Sequence, residues 1–287
     1  MTTYEPVVIT SAEWMRRFVS ARRAAGARVA FVPTMGYLHE GHLRLVEEAA
    51  KRADCVVVSI FVNPIQFGPT EDLDRYPRDL DGDLEKLAAY PVQAVFCPAA
   101  AELVPPQLQT RVVVERISAP LCGASRPGHF AGVATIVLKL IHIVTPDLAV
   151  FGLKDYQQFR VIQTMVKDLD VPVEIVGCDT VREPDGLAKS SRNVFLSPAE
   201  RAAAPLMHRA LEEAAGAIAA GTLRRADQVE RFLSDRIGAE PLARIDYVSC
   251  RDASTLEAVA AIEAPVVMAL AVFFGRTRLI DNRVVSV

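Results

Sequence analysis

The chain has 287 residues, of which 51% are hydrophobic and 23% are charged, as is typical of a folded globular protein rather than a disordered or collagen-like one. Its 32 basic and 35 acidic residues leave a net charge of −3, which argues against a general attraction to nucleic acid or anionic membranes. No uncharged apolar run approaches the ~18 residues of a membrane helix, and the five cysteines show no CxxC spacing. We therefore expect a soluble, cytoplasmic protein with neither a membrane nor a nucleic-acid partner.

Apolar runs alternate with helical patterns through the first two thirds of the chain. The runs predicted to be strands are Arg28–Pro33, Cys55–Val62, Val92–Cys97 and Leu148–Phe151. The predicted helices are Ser11–Ala25, Gly41–Ala53, Asp79–Tyr90, Val133–Val144 and Tyr156–Leu169. Strands that are apolar on both faces belong to a parallel sheet covered by helices. The alternation predicts a doubly wound α/β domain with its ligands at the carboxyl ends of the strands.

The helix ends and two single residues carry further expectations. Thr10 and Glu13 are spaced as a capping box for the opening helix, and Ser197 and Glu200 are spaced as a second one. The second box, with a proline at the first helical position, predicts a long alanine-rich helix. Trp14 and His142 are interpreted as packing residues, because each lies in an amphipathic or apolar helical pattern.

The pattern changes near Val181. Beyond it we expect the alanine-rich helix, a helix over Ala226–Ile237, and short strands over Ile245–Cys250, Val266–Phe274 and Arg278–Ile280. Helices followed by short strands indicate a small α+β domain. The predicted division is therefore a first domain of residues 1–181 and a second domain of residues 182–287.

The segment PTMGYLHEGH, Pro33–His42, lies between a predicted buried strand and a helix. Helix-terminal N–H groups at such a point favour anions. His39 and His42 are three residues apart, so on a helix start they share a face and can donate to phosphate oxygens during phosphoryl transfer. A zinc site is the weaker interpretation, since HExxH needs a spacing of four. A pair of surface histidines beside a turn is the alternative.

A second segment, Asn63–Arg78, follows another strand end. The amides of Asn63 and Gln66 can hydrogen-bond an uncharged polar group such as a hydroxyl. The Gly/Pro/Asp-rich stretch Gly68–Arg78 is long enough to form a lid. A plain loop with turn residues is the alternative for this segment.

Three more segments carry polar side chains at predicted loop or helix starts. Gly152, Lys154 and Asp155 follow the fourth strand, where Lys154 suits a phosphate and Asp155 a ribose hydroxyl, or a helix cap. Ser190, Ser191 and Arg192 lie in a loop whose composition suits phosphate, or a solvated linker. Arg126 precedes a histidine at a helix start, which is also compatible with an ordinary turn.

Taken together, the motifs PTMGYLHEGH, SIFVNPIQFGPTEDLDRYPR, RPGHFAGV, FGLKDYQQ, SSRN and GRTRLIDN (Gly275–Asn282) resemble those of the pantoate–β-alanine ligase family. This family belongs to the HxGH nucleotidyltransferase superfamily, and the resemblance spans almost the whole chain. It implies a Rossmann-like domain followed by a smaller lid domain, and a homodimer. It also implies ATP-dependent condensation of (R)-pantoate with β-alanine through pantoyl adenylate, releasing AMP and pyrophosphate. Mg²⁺ is expected mainly on the ATP phosphates, with no ligands from protein side chains.

The resemblance also implies a role for each site residue. Catalytic roles fall to His39, His42, Lys154 and Arg192. ATP-binding roles fall to Met35, His42, Gly152, Lys154, Asp155, Val181, Ser190, Ser191 and Arg192. Roles in binding pantoate or β-alanine fall to Met35, Asn63, Gln66, Arg126 and Gln158.

Three residues depart from the family pattern. Tyr37 stands where a small residue is usual, Leu153 where glutamate is common, and Lys189 where an apolar residue is usual. We expect Tyr37 to make the turn beside the histidines bulkier, and Lys189 to add a cation near the phosphates.

Three alternatives to this function stay open. The nearest is another HxGH nucleotidyltransferase that adenylates a phosphate-bearing acceptor, although the amides of NPxQF and KDYQQ favour a hydroxyl-bearing acid. A fragment related to tRNA synthetases and a nucleotide-binding sensor that has lost catalysis are the others.

Overall fold

A computed structural model describes residues 3–69, 71 and 73–286. The strands are β1 Val7–Ile9, β2 Val29–Thr34, β3 Cys55–Ile60, β4 Val92–Phe96, β5 Leu148–Gly152, β6 Glu174–Cys178, β7 Ala243–Asp252, β8 Val266–Phe274 and β9 Thr277–Val285. The helices are α1 Ala12–Ala24, α2 Glu40–Ala50, α3 Leu80–Leu87, α4 Ala100–Leu103, α5 Glu115–Ser118, α6 Cys122–Ser125, α7 His129–Val144, α8 Tyr156–Asp168, α9 Pro198–Ala203, α10 Leu206–Ala219 and α11 Ala226–Gly238. None of the helices within these ranges combines the length and the apolarity needed to cross a membrane.

The chain forms two compact units, and each is assembled from more than one stretch of sequence. The first unit contains the described residues up to Glu115 together with Arg126–Leu153 and Val161–Asp179. The second contains Arg116–Ser125, Lys154–Arg160 and the described residues from Thr180 onward. The division into domains 1–181 and 182–287 stays a prediction.

The first unit is built on a six-stranded parallel sheet in the order β1-β4-β3-β2-β5-β6. The chain moves outward from β2 through β3 to β4 on one side, and β5 and β6 lie on the other side. The strand order therefore reverses at β2 and β5. The loops after such strands diverge at their carboxyl ends and leave a crevice that suits a ligand.

Both faces of this sheet are buried. Ala30 and Val32 of β2 belong to a core cluster shared with α2 and α3, and the alternate residues Val29 and Phe31 are equally inaccessible to solvent. Helices α1 and α7 pack against β2 as well. This two-sided burial explains the continuous apolar runs, and it confirms the predicted α/β fold with a doubly wound parallel sheet.

The second unit contains a three-stranded antiparallel sheet in the order β7-β8-β9. Its core cluster joins the apolar faces of α10 and α11 to strands β8 and β9, and includes Leu211, Leu233, Leu270 and Phe274. A separate antiparallel sheet with its own helices confirms the predicted α+β character of the second part of the chain.

Most predicted elements are present, and strand β8 has the predicted bounds. The capping box of Ser197 and Glu200 is confirmed. The prediction of one long alanine-rich helix is wrong, however, because the segment is interrupted at Ala204 and Pro205 and forms two helices, α9 and α10. The cap of α1 is also misplaced by one residue: Ser11, not Thr10, accepts from the N–H of Trp14.

Two packing predictions are wrong for a common reason. Trp14 is 56% exposed, because the buried stripe of α1 runs through Met15 and Val19, one position further along. His142 is exposed although α7 is otherwise mostly buried. A single position in a helix is about 100° from the next, so an apolar neighbourhood in sequence does not fix the direction of one side chain.

Helix α7 packs closely against the turn Pro64–Gln66, and Gly132 permits this approach. A Cβ atom at residue 132 would lie 2.2 Å from the carbonyl oxygen of Ile65 and 2.8 Å from the Cα of Gln66. Both neighbours are main-chain atoms, so the turn itself would have to move.

We expect Gly132→Ala to lower the free energy of unfolding by about 2 kcal/mol, the usual scale of overpacking in a core. Thermal denaturation of the purified protein measures the effect. Gly216→Ala in α10 is the matched control, because a Cβ there meets no atom within 4 Å, and alanine should stabilise that helix by about 0.5–1 kcal/mol. Equal melting temperatures for the two variants would contradict the close approach at Gly132.

Candidate active site

The first histidine-bearing segment begins with a tight turn at the carboxyl end of β2. Gly36 and Tyr37 both have positive φ angles, of 82° and 51°. A Cβ at Gly36 would lie 2.9 Å from Cγ2 of Ile60 and 3.1 Å from Oδ2 of Asp83. The turn therefore needs glycine at residue 36, both for its left-handed backbone and for space. Tyr37 adopts the left-handed conformation with its side chain beside the ammonium of Lys86, 5.8 Å from the ring centre.

The carboxylate of Asp83 holds this turn in place. It is fully buried on α3, and its Oδ2 and Oδ1 accept from the backbone N–H groups of Tyr37 and Leu38 at 2.8 and 2.6 Å. Burial raises the pKa of Asp83, while the two N–H donors and the charge of Lys86 act in the opposite direction. Asp83 is not among the predicted site residues, because nothing in the helix Asp79–Tyr90 marks one of its acidic side chains as a partner for a distant turn.

His39 and His42 lie together at the start of α2. Their ring centres are 4.1 Å apart, and the two side chains form a reciprocal cap. Nδ1 of His39 accepts from the N–H of Gly41 at 3.1 Å, and Nδ1 of His42 accepts from the N–H of His39 at 3.3 Å. A ring that accepts at Nδ1 carries its proton on Nε2. The cap thus assigns Nε2 as the donor nitrogen of both rings, as hydrogen bonding to phosphate oxygens requires.

Met35, Asn63 and Gln66 are also brought together in the first unit. The amide of Gln66 donates to the sulfur of Met35 at 3.2 Å and accepts from the Asn63 amide at 2.9 Å. Asn63 is only 3% exposed and also donates to the carbonyl of Gly132 at 3.1 Å. Its side chain orients Gln66 rather than facing an open space.

Arg126 already has a carboxylate partner within the first unit. It forms a two-point ion pair with Glu71, at 2.6 and 2.7 Å, and also contacts Nε2 of His129 at 3.0 Å. Nδ1 of His129 lies 2.8 Å from the carbonyl oxygen of Gln66, which can only accept, so His129 donates from Nδ1. Burial by itself raises the pKa of Glu71. The hydrogen bonds and charge of Arg126, together with smaller contributions from neighbouring groups, outweigh this effect, so the pKa of Glu71 lies below its usual value. These contacts tie the loop after Gln66 to the start of α7.

Gly152 is the last residue of β5, beside Leu45 of α2. The other predicted residues of this motif lie in the second unit. There the ammonium of Lys154 lies 3.5 Å from the carboxylate of Asp155, and the carbonyl of Lys154 accepts from the Asn282 amide at 2.8 Å. Of the two adjacent glutamines, Gln157 is buried and bonded to Cys122, Ile117 and Pro120, whereas Gln158 is half-buried.

A small hairpin in the second unit begins at Val181, and the serine pair follows directly after its second arm. The N–H of Lys189 donates to the carbonyl of Val181 at 2.9 Å, and the ammonium of Lys189 pairs with Glu183 at 3.0 Å. The charge of Lys189 is therefore matched inside the hairpin, and the extra cation expected near the phosphates stays a prediction. Ser190 follows, and its hydroxyl caps the turn Ser191–Phe195 by accepting from the N–H of Arg192 at 3.3 Å.

Each unit thus groups its own share of the predicted residues. The first contains Met35, His39, His42, Asn63, Gln66, Arg126 and Gly152, and the second contains Lys154, Asp155, Gln158, Val181, Ser190, Ser191 and Arg192. Over residues 3–69, 71 and 73–286, no three His, Cys, Asp or Glu side chains cluster as a metal site would require.

Comparisons with known proteins agree on one family. A family model described as Pantoate-beta-alanine ligase matches residues 7–284. The pantothenate synthetase of Moorella thermoacetica is 53% identical over 273 residues, covering 95% of this chain and 96% of that protein. The pantothenate synthetase of Thermoanaerobacter pseudethanolicus is 51% identical over 268 residues, covering 93% and 94%.

Solved structures give the same result. The crystal structure of pantothenate synthetase from Thermus thermophilus superimposes with a TM-score of 0.90 at 44% identity, covering 96% of this chain and 98% of that one. The Francisella tularensis pantoate-beta-alanine ligase, complexed with beta-gamma ATP and β-alanine, gives a TM-score of 0.78 at 31% identity, covering 97% of each chain. The sequence motifs, the two sheets and these similarities lead to one conclusion: the chain belongs to the pantoate–β-alanine ligase family.

Proposed function

We propose that this ligase, which condenses pantoate with β-alanine, activates pantoate with ATP as pantoyl adenylate. The observation that carries the proposal is the reciprocal cap of His39 and His42 at the end of β2, which assigns both Nε2 atoms as donors. Two imidazole donors beside a helix N-terminus suit the phosphate groups of a nucleotide.

The chemistry follows from the poor reactivity of a carboxylate toward an amine. In the first step, a pantoate carboxylate oxygen attacks the α-phosphorus of ATP, and the bond to the β-phosphate oxygen breaks to release pyrophosphate. In the second step, the β-alanine amine attacks the acyl carbon, loses a proton, and AMP leaves with the bonding electron pair. Positioning and charge stabilisation suffice for both steps, without a nucleophile from the protein.

In the first unit, His39 and His42 would donate to the phosphate oxygens as negative charge moves onto pyrophosphate. Gln66 and Met35 would contact pantoate, since the Gln66 amide is oriented by Asn63. We assign Asn63 the role of orienting Gln66. Arg126 would hold the loop through Glu71 and offer its guanidinium to a substrate carboxylate only when that ion pair rearranges.

In the second unit, Lys154 would place its ammonium on the reacting phosphate and Asp155 would meet the ribose. In the first unit, Gly152 would let the nucleotide approach the backbone closely. Gln158 would bind pantoate. Ser190, Ser191 and Arg192 would hold the β- and γ-phosphates, and Val181 would contact the nucleotide. The capped turn supports this assignment, because it holds the backbone of Ser190 and Arg192 in one conformation.

Three further features complete the proposal. Mg²⁺ enters with the nucleotide as MgATP, since Mg²⁺ in such sites is bound largely by phosphate oxygens and water. Membership of the family supports a homodimer. The scattered cysteines, without disulfide spacing, support the cytoplasm as the location.

The substrate requirement is tested by measuring AMP and pyrophosphate release from MgATP with pantoate and β-alanine together, and then with each omitted. We expect AMP release to require both acids. Pyrophosphate release that needs neither acid, or that needs a phosphate-bearing acceptor instead, would contradict the proposal and favour another nucleotidyltransferase reaction.

We expect His42→Ala and Lys154→Ala each to lower the single-turnover rate of adenylate formation at least ~100-fold, the usual scale for losing one key electrostatic group. Rapid-quench measurement of pyrophosphate gives the rate. His142→Ala is the control, because His142 is an exposed histidine of α7, and it should react at the native rate. Near-native adenylation by His42→Ala or Lys154→Ala would refute the assigned roles.

We expect Asp83→Asn to lower kcat/KM for ATP at least ~10-fold and stability by about 2 kcal/mol, because an amide can accept only one of the two N–H bonds. Steady-state kinetics and thermal denaturation measure the two effects. Asp81→Asn, an exposed residue of the same helix, is the matched control. If both variants behave alike, the turn does not depend on Asp83.

A further inference from the structure

Strand β9 carries the last six residues of the motif GRTRLIDN, and the final two of them each contact a segment proposed to bind ATP. The amide of Asn282 donates to the carbonyl oxygen of Lys154 at 2.8 Å. The carboxylate of Asp281 accepts two hydrogen bonds from the guanidinium of Arg182, at 2.7 and 2.9 Å. All four residues belong to the second unit.

The contacts of Arg182 fix the hairpin that leads to the serine pair. Arg182 forms an antiparallel bridge with Ala188 and also donates to the carbonyl of Gly186 at 3.1 Å. Asp281 is only 4% exposed, so its ion pair with Arg182 is screened little by solvent. The two-point pair therefore anchors both arms of the hairpin, directly before Ser190.

The strand itself is a rigid support. Asp281 and Asn282 pair with Leu270 and Ala269 of β8, the central strand of the sheet. Consecutive residues of a strand point to opposite faces, so the two side chains reach different segments. The backbone N–H of Asn282 also donates to Asp281 at 2.8 Å, which orients the carboxylate.

We propose that Asp281 and Asn282 are positioning residues for the nucleotide: Asn282 places the main chain at Lys154, and Asp281 places the hairpin before Ser190–Arg192 through Arg182. The inference rests on the proposed function of those two segments. Two consecutive residues of β9 thereby set the position of the Lys154 cation and of the proposed phosphate-binding loop Ser190–Arg192. A displacement of about 1 Å in such groups costs up to ~100-fold in rate.

The first test is a double-mutant cycle of Asn282→Ala and Lys154→Ala on the single-turnover rate of pyrophosphate release. We expect Asn282→Ala alone to lower the rate about 10-fold, and to have no further effect in the Lys154→Ala protein, because its influence passes through Lys154. Asn282→Asp, which keeps the shape but loses the donor, should match Asn282→Ala. Arg283→Ala, an exposed neighbour paired with Glu212, should keep the native rate.

Additive effects in this cycle, or a native rate for Asn282→Ala, would overturn the role of Asn282. A native rate for Lys154→Ala itself would instead overturn the proposed function of Lys154, so the two failures are distinguishable.

The second test replaces the buried ion pair by the neutral pair Arg182→Gln/Asp281→Asn, which avoids leaving one unpaired charge. We expect a rise of about 5-fold in KM for ATP with little change in kcat, and no further rise when the pair is replaced in the Arg192→Ala protein. Arg182→Lys, which keeps the charge but not the two-point geometry, is the second variant should the neutral pair not fold, with the same expected rise. An unchanged KM in the folded variant would overturn the role of Asp281.

Discussion

The hydrogen bonds from Tyr37 and Leu38 to Asp83 are the constraint on which the end of the first unit proposed to bind the nucleotide depends. The chain must leave β2 through two successive left-handed residues, which is an unfavourable conformation for Tyr37. The buried carboxylate of Asp83 accepts hydrogen bonds from the N–H groups of Tyr37 and Leu38, and these bonds offset that cost. The position of the histidine cap at the start of α2 follows from the path of this turn.

The same arrangement recurs in both units: side chains remote in sequence fix main-chain segments, and those segments carry the groups assigned to the substrates. Asn63 orients Gln66 and reaches the carbonyl of Gly132, where the absence of a side chain lets the turn Pro64–Gln66 approach. Asn282 reaches the carbonyl of Lys154 in the second unit. The proposed chemistry therefore depends on residues that need not touch a substrate, which is usual where reacting groups must be held within a fraction of an ångström.

Local sequence patterns predicted the helices and strands, but they could not predict these contacts between side chains and distant main-chain segments. The strand Val266–Phe274 and the cap at Ser197 have signals contained within a few neighbouring residues, and both are confirmed. Strands β1 and β6 were missed because they are short edge strands with exposed positions: the apolar run of β1 is only three residues long, and Glu174 and Gly177 interrupt that of β6. Asp83 and Asn282 act on partners 45 and 128 residues away, and no periodicity in the sequence records such a pairing.

At the residues that depart from the family pattern, the main chain and the side chain make different contacts. At Tyr37 the turn uses the backbone N–H, which any residue except proline supplies, while the ring lies beside Lys86. At Lys189 the backbone N–H closes the hairpin and the ammonium is matched by Glu183. In both cases the structural requirement falls on the backbone, so the side chain is free to vary if its charge or bulk finds a local partner. Gly36 has no such freedom, since its requirement is the missing side chain itself.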